Sequence, residues 1–239
     1  MRYIRLPLEN AYNVRDLGGY PCPGGVTRWN TFLRADGLSA LSAADIDFLL
    51  RYGVRGVIDL RSAQELVSAP EPEKLLAAVE YFHIPLLSGD VTDATKVQIA
   101  PSESFLGTFY REIIKNGKAA IKNVIETIAA VDTGAVLFHC AAGKDRTGIT
   151  AALLLGIAGV DISDIVANYE VTYTYIRKNP TIIAEAAIYP VEFLFSHAEF
   201  IEGALTDIVD TYGSIWNYLL DCGVAEQALH RIRERFIEN

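Results

Sequence analysis

The feature that most constrains this chain is a ten-residue segment, His139–Gly148, with the sequence H-C-A-A-G-K-D-R-T-G. An apolar run, Ala135–Phe138, comes directly before it, and a helix-forming stretch follows it. This order predicts a strand, then a tight loop rich in free backbone N–H groups, then the N-terminus of a helix. Such a loop can bind a dianionic phosphate through its amides and through the positive end of the helix dipole.

Two side chains in this segment predict its chemistry. Cys140 and Arg146 are separated by five residues. A helix N-terminus and a nearby cation favour the thiolate form of a cysteine, which is the nucleophilic form. Arg146 can donate two parallel hydrogen bonds to phosphate oxygens because its guanidinium group is a planar fork. The pattern therefore predicts a cysteine-dependent phosphatase.

Composition limits the other classes of function. The chain has 239 residues, of which 51% are hydrophobic and 21% charged, as expected for a globular protein with a core. Its 21 basic and 30 acidic side chains give a net charge of −9, which argues against a general surface for nucleic acid or anionic membrane. Three cysteines form an odd count without metal or disulfide spacing, so neither a metal nor another cofactor is expected.

The sequence does not predict stable insertion into a membrane. The first eight residues lack the apolar core of a signal peptide. The longest apolar run, Ala151–Val160, is too short to span a bilayer. The expected location is the cytoplasm, or the outside of the cell after export without a visible signal peptide.

Strand-like and helical segments alternate along most of the chain, and a helical tail follows. Leu41–Tyr52 reads as a helix with Ser42 as N-cap and Gly53 just past its end. We predict an α/β fold with a central, mostly parallel sheet flanked by helices, and one domain over residues 1–239. The other strands are predicted at 54–60, 81–86 and 135–138, beside a hairpin around 23–25. The other helices are predicted at 62–79 (interrupted by prolines), 102–114, 119–131, 161–177, 181–210, 213–221 and 225–237, and the last three are divided by Pro190, Gly213 and Gly223.

The phosphate-loop sequence and four further segments carry a family resemblance. The segments are N-V-R-D-L-G-G (13–19), L-R-A-D-G-L-S (33–39), V-I-D-L-R-S (57–62) and Y-G-S-I-W-N-Y-L (212–219). In these, the chain resembles the bacterial protein-tyrosine and phosphoinositide phosphatases of dual or triple specificity, whose loop reads H-C-x-A-G-K-D-R-T-G. The resemblance implies the cysteine-phosphatase fold and a phosphorylated protein or a phosphoinositide as substrate. An inositol-phosphate phosphatase, similar to a phytase, is the nearest alternative.

The resemblance also implies roles for individual residues. Cys140 would attack phosphorus and form a phosphocysteine, while Arg146 would hold the equatorial oxygens of the transition state. Thr147 would donate its hydroxyl to the thiolate, and Lys144 would add a second cation suited to substrates with more than one phosphate. The expected phosphate-binding residues are Ala141, Ala142, Gly143, Lys144, Thr147 and Arg61.

The proton donor for the leaving group is left open by the sequence. Many tyrosine phosphatases use an aspartate in a W-P-D sequence, which this chain lacks. The candidates are Asp145 within the loop, Asp59 at the end of a strand, and Asp90 or Asp93 in a polar segment. We place Asp145 first and Asp59 second. Asp59 could instead form a salt bridge with Arg61.

Several other features have alternative interpretations. A structural corner is the favoured interpretation for Asn13, Arg15 and Asp16, and a scaffold role is the alternative for Arg34 and Asp36. The resemblance implies that helices around 181–203 cover the active site as a lid, although the same residues could be core. Rival functions are a sulfurtransferase, in which the cysteine carries a persulfide, and a phosphate-binding protein without activity.

Overall fold

A central sheet positions the ends of the strands that carry the candidate site. The computed structural model of the protein describes residues 2–87, 105–185 and 191–239. Within the central sheet, the first strand joins one edge antiparallel and the other four strands are parallel. The predicted α/β fold with a mostly parallel sheet is thus confirmed. In spatial order the strands are β1 (Arg15–Asp16), β4 (Phe32–Ala35), β7 (Ala135–His139), β5 (Val54–Asp59) and β6 (Glu80–His83).

The strand β7 lies in the middle of this sheet, between β4 and β5, and all of its residues are buried. Successive side chains of a strand point to opposite faces. Val136 and Phe138 accordingly belong to the hydrophobic core on one face, whereas Ala135 and Leu137 belong to the core on the other. Burial on both faces explains why this segment reads as an uninterrupted apolar run.

Helices pack against both faces of the sheet. The helix α1 has the predicted caps: Ser42 and Asp45 form a capping box, and Gly53 is left-handed at the C-terminus. The helix α6 follows the loop directly and is buried almost all round, as its apolar sequence predicts. The helices are α1 (Ala43–Tyr52), α2 (Ala63–Ser68), α3 (Glu73–Leu76), α4 (Phe105–Asn116), α5 (Lys118–Ala130), α6 (Asp145–Ala158), α7 (Ile162–Ile176), α8 (Pro180–Glu185), α9 (Ala198–Tyr212), α10 (Ile215–Asp221) and α11 (Glu226–Phe236).

The helix predicted over 181–210, with a division at Pro190, is wrong for residues 195–197, which are not helical. The structure has α8, then a single 3₁₀ turn at Val191–Leu194, then α9 from Ala198. The backbone carbonyls of Phe193 and Phe195 accept hydrogen bonds from a lysine side chain instead of from a following helical turn. Tertiary contacts therefore override the local helical preference here.

A small second sheet joins a hairpin at residues 21–27 to a strand at residues 237–238. The predicted hairpin is confirmed as β2 (Pro21–Cys22) and β3 (Gly25–Thr27), which pair antiparallel. The last strand, β8 (Ile237–Glu238), pairs with β3 and was not predicted from the sequence. Among the described residues, no helix is both long and apolar enough to cross a bilayer.

Candidate active site

Cys140 lies directly after β7, at the base of the loop that leads into α6. It is buried, with only 2% of its surface exposed. Thr147, in the first turn of α6, donates its hydroxyl to Cys140 Sγ at 3.1 Å. A hydroxyl donor aimed at sulfur stabilises negative charge there. The predicted strand, loop and helix thus bring the cysteine and the threonine into contact.

The backbone of the loop is held so that its carbonyls face the scaffold. The carbonyls of residues 141–143 accept hydrogen bonds from the amide of Gly37 (2.8 Å), from Asn13 Nδ2 (3.2 and 3.0 Å) and from Arg34 Nη2 (2.7 Å). In a planar trans peptide, the N–H points away from the C=O of the same unit. The amides of residues 142–144 therefore face the opposite side, where an oxyanion in front of Cys140 would lie.

These scaffold donors are themselves fixed by buried contacts. Arg15 and Arg34 are almost fully buried and donate to Asn168 and Thr172 of α7. Asp36 accepts a hydrogen bond from the backbone amide of Asn13 at 2.9 Å, and the side chain of the same asparagine binds the loop. The hydrogen bonds agree with the structural corner and the scaffold that the sequence suggested.

Gly143 is required by the shape of the loop. Its φ of +65° is in the left-handed region, which L side chains rarely adopt. A Cβ atom at this position would lie 2.5 Å from the carbonyl oxygen of Ala35. The requirement for glycine here therefore has two causes, the backbone angle and the close approach of β4.

Arg146 is aligned by a carboxylate that the sequence analysis did not single out. Its Nη1 and Nη2 donate to the two carboxylate oxygens of Glu65 at 2.6 and 2.8 Å. Although burial acts to raise the pKa of Glu65, hydrogen bonds and charge from Arg146 lower it to about 2. The pairing leaves Nε and the second N–H of each Nη for another ligand. The available signal was the capping-box sequence S-A-Q-E, because Glu65 also caps α2 together with Ser62.

Asp145, the first candidate for the acid, begins α6 and is partly exposed. Its Oδ1 accepts a hydrogen bond from the hydroxyl of Tyr110, which also contacts the hydroxyl of Tyr169 at 2.6 Å. Burial, with the charge of Asp145, raises the pKa of Tyr110 above its ordinary value, so the phenol stays protonated as a donor. Both tyrosines were absent from the sequence-based site, because α4 and α7 are far from the loop in sequence.

Asp59, the second candidate for the acid, is fully buried in a salt bridge. Arg61 donates to it through Nε and Nη2 at 2.6–3.0 Å, and Tyr81 donates its hydroxyl at 2.8 Å. Although burial acts to raise the pKa of Asp59, hydrogen bonds from Arg61 and the charge of His139 lower it to about 2. A carboxyl group with this pKa carries no proton to donate near neutral pH. The contacts favour the salt-bridge alternative.

Arg61 and Lys144 have placements that bear on their expected roles. The guanidinium group of Arg61 is 2% exposed and also binds Glu71 and the carbonyl of Ala69, so protein acceptors occupy much of it. Lys144 is also 2% exposed, and its ammonium group contacts backbone carbonyls. Asp90 and Asp93 lie outside the described residues.

A buried ionisable cluster lies beneath the loop. Asp59, Glu71 and His139 each place a potential metal-ligand atom within 4.8 Å of the others, and Arg61 supplies positive charge between the two carboxylates. The Nδ1 atom of His139 lies 3.3 Å from the carbonyl oxygen of Cys140, close to the start of the loop. This contact joins the imidazole ring of His139 to the backbone at the start of the loop.

Two members of the cluster have opposite pKa shifts. Burial raises the pKa of Glu71 from 4.5 to about 7 and lowers that of His139 from 6.5 to about 4. Glu71 therefore stabilises the fold fully below pH 4.5, and this contribution is lost as the pH rises through 7. The contribution of His139 is present above pH 6.5 and is lost as the pH falls through 4. The two effects oppose each other between these limits.

Glu71→Gln is expected to make the protein more sensitive to mild acid. From about pH 8 to about pH 4.5, the free energy of unfolding should fall by about 3 kcal/mol more in the variant than in the wild type. As the pH falls, the variant still loses the stability that neutral His139 contributes. It lacks the stability that protonation of Glu71 adds in the wild type. Urea unfolding of both proteins across this range measures the difference. Parallel pH profiles would show that Glu71 does not take up a proton on folding.

The comparisons with known proteins agree with this site. Residues 6–238 match the model of the tyrosine phosphatase family. Because this match covers nearly the whole chain, the chain belongs to the tyrosine phosphatase family. It is therefore a phosphatase.

The relatives are bacterial enzymes. A tyrosine-protein phosphatase of Nostoc commune is 34% identical over 220 residues, which cover 86% of this chain and 74% of the relative. The triple specificity protein phosphatase PtpB of Mycobacterium tuberculosis is 27% identical, with 95% and 96% covered. Among solved structures, Pseudomonas aeruginosa TpbA matches 67% of this chain and 89% of its own with 17% identity and a TM-score of 0.33. A complex of TpbA with phosphotyrosine matches 72% and 94% with 16% identity and a TM-score of 0.32.

Proposed function

We propose that this chain hydrolyses phosphotyrosine and similar aryl phosphates through a phosphocysteine intermediate on Cys140. The arrangement of hydrogen-bond donors around the sulfur of Cys140 supports the proposal. Thr147 donates to Sγ, and the loop carbonyls are bound on the far side, so that amides 142–144 face the reaction. Preorganised donors of this kind stabilise a developing oxyanion without reorganisation.

In the first step, the thiolate of Cys140 attacks phosphorus. An S–P bond forms as the P–O bond to the leaving group breaks. Arg146 and the loop amides hold the equatorial oxygens, where charge spreads in the transition state. Asp145, as the carboxylic acid, gives its proton to the leaving oxygen.

In the second step, water attacks phosphorus and the S–P bond breaks. Asp145, now a carboxylate, takes a proton from the water and so regains its acid form. The sulfur departs as a thiolate, which the hydroxyl of Thr147 stabilises at 3.1 Å. Inorganic phosphate is released, and the enzyme returns to its starting state.

Aryl phosphates are the favoured substrates for two reasons. Relatives in the family are named as tyrosine-protein phosphatases, and one is named as a triple specificity phosphatase. A cavity of about 280 Å³ lies beside the loop; apart from Arg61 its lining is uncharged, and Tyr12, Ala141 and Pro180 contribute to it. Phosphoserine, phosphothreonine and phosphoinositides remain secondary candidates. The contact between Thr147 and Cys140 and the alignment of Arg146 favour phosphate transfer over a persulfide.

A substrate panel tests the proposed class. Phosphotyrosine peptides, phosphoserine peptides, phosphoinositides and soluble inositol phosphates would be compared by kcat/KM under one set of conditions. We expect the highest value for phosphotyrosine peptides. A higher value for soluble inositol phosphates would favour the phytase-like alternative and contradict the proposal.

Asp145→Asn is expected to reduce turnover most for substrates with poor leaving groups. On an alkyl phosphate, kcat should fall by about 100-fold or more, because the alkoxide needs a proton as it leaves. On p-nitrophenyl phosphate the loss should be smaller in the first step, because the nitrophenolate leaves without protonation. Single-turnover release of the alcohol or phenol isolates this step from the hydrolysis of the intermediate.

Asp59→Asn is the matched control for this experiment. It removes a carboxylate near the loop but disturbs the salt bridge with Arg61 rather than proton transfer. We expect Asp59→Asn to have a lower free energy of unfolding than the wild type. The ratio between its activities on alkyl and aryl phosphates should be unchanged. The assignment would be reversed if Asp59→Asn lost more activity on the alkyl phosphate than on the aryl phosphate while Asp145→Asn lost both equally.

A further inference from the structure

The ammonium group of Lys144 is enclosed by protein acceptors. Its Nζ donates to the backbone carbonyl of Phe193 and, at 3.2 Å, to that of Phe195, and it lies 3.3 Å from Asp145 Oδ1. An ammonium group has three N–H donors and no acceptor. Two hydrogen bonds to backbone carbonyls and an ion pair with Asp145 therefore surround the ammonium group, and the side chain is 2% exposed.

This arrangement differs from that of a lysine that waits for a substrate phosphate. A buried ammonium group is stable only when its charge is paired and hydrogen-bonded. If Lys144 turned toward a second phosphate, it would abandon the carbonyls of Phe193 and Phe195, which are themselves partly buried. The cost of leaving these acceptors opposes a role in reading additional phosphates.

The segment that Lys144 holds is attached at two further points. Ser196 Oγ accepts from the amide of Tyr173 at 3.0 Å and donates to the carbonyl of Glu170 at 2.7 Å, which fixes the segment to α7. The ring of Phe193 packs edge-on against Phe105 of α4, with centroids 5.1 Å apart. Lys144 thus ties the loop to a segment that also contacts α4 and α7.

The same lysine restricts the carboxylate of Asp145. The contacts from Lys144 and from the hydroxyl of Tyr110 both fall on Oδ1. Because Oδ1 accepts a hydrogen bond from Tyr110 and faces the positive charge of Lys144, the proton of the acid form belongs on Oδ2. This division of roles gives the carboxyl group one anchored oxygen and one oxygen for proton transfer.

We propose that Lys144 is a positioning residue rather than a phosphate ligand. It anchors residues 193–195 to the loop and orients Asp145 so that Oδ2 carries the transferable proton. The inference rests on the proposed function, because it assigns a partner to the acid of that reaction. It also predicts that discrimination between substrates with one and with two phosphates does not depend on Lys144.

Lys144→Met tests the proposal, because methionine keeps much of the side-chain length but lacks the charge. Compared with the wild type, kcat on an alkyl phosphate should fall about tenfold more than kcat on p-nitrophenyl phosphate, since a misplaced acid affects the poor leaving group most. The ratio of kcat/KM between inositol 1-phosphate and inositol 1,4-bisphosphate should stay within about twofold of the wild-type ratio. Ser196→Ala, which loosens the same segment without touching Asp145, should leave the leaving-group dependence unchanged.

A measurement on the wild-type enzyme covers the case in which Lys144→Met does not fold. Hydrogen exchange of peptides spanning 193–197 would be followed with orthovanadate and with inositol 1,4-bisphosphate. We expect equal protection with both ligands, because neither recruits Lys144. Faster exchange with the bisphosphate alone would contradict the proposal, as would a selective loss of activity on the bisphosphate in Lys144→Met. If wild-type turnover did not depend on Cys140, the proposed function itself would fail instead.

Discussion

Cys140→Ser is expected to lose turnover by about 10⁴-fold or more while it keeps its fold and its affinity for phosphate. In the same loop, a serine hydroxyl stays protonated and is a far weaker nucleophile than a thiolate. The cradle, in contrast, consists of backbone amides and Arg146, which the substitution leaves in place. Release of p-nitrophenol measures turnover, and the shift in melting temperature with added phosphate measures binding.

Cys222→Ser is the matched control for this substitution. Cys222 is also buried, and it lies at the end of α10 in the core rather than in the loop. Its replacement should leave kcat/KM within about twofold of the wild type, because it removes a thiol without touching the cradle. Turnover by Cys140→Ser within tenfold of the wild type would contradict the covalent route.

Arg146→Lys is the second substitution with a large expected effect, a loss in kcat/KM of about 10³-fold or more. An ammonium group is a point charge, so it cannot donate parallel hydrogen bonds to Glu65 and at the same time to two phosphate oxygens. Both kcat and the affinity for vanadate should fall, because the lost contacts are present in the transition state. Steady-state kinetics and vanadate inhibition measure the two effects.

Glu65→Gln separates the charge of Arg146 from its alignment. The glutamine keeps an oxygen that can accept from the guanidinium group but not the paired carboxylate contact at 2.6 and 2.8 Å. We expect a loss of about tenfold, well below that of Arg146→Lys. Equal losses in the two variants would show that the alignment, rather than the guanidinium group itself, supplies the stabilisation.

Local patterns predicted the elements that position the cysteine. The apolar run before Cys140 became β7, and the stretch after the loop became α6, because burial on all sides leaves a continuous apolar signature. Capping residues fixed the limits of α1 at Ser42 and Gly53. These features depend on neighbours within a few residues, which is why the sequence alone was enough for them.

The contacts that complete the site join residues far apart in the chain. Asn13 reaches the loop across about 130 positions, and Glu65 reaches Arg146 across 81. Nothing in the local sequence around Glu65 distinguishes a helix cap from a partner of Arg146, and the residue serves as both. The burial of Lys144 likewise depends on residues 193–195, which do not form the α-helix predicted there.

In the proposed mechanism, a phosphoryl group passes through the sulfur of Cys140. The most direct measurement is rapid acid quenching of the Asp145→Asn variant during turnover of p-nitrophenyl phosphate, followed by mass spectrometry of the peptide that contains Cys140. This variant should form the intermediate but hydrolyse it slowly, because it lacks the base that activates water. We expect one added phosphoryl group on that peptide and none in the Cys140→Ser counterpart. Full turnover with no phosphoryl group on Cys140 at any quench time would contradict the proposed mechanism.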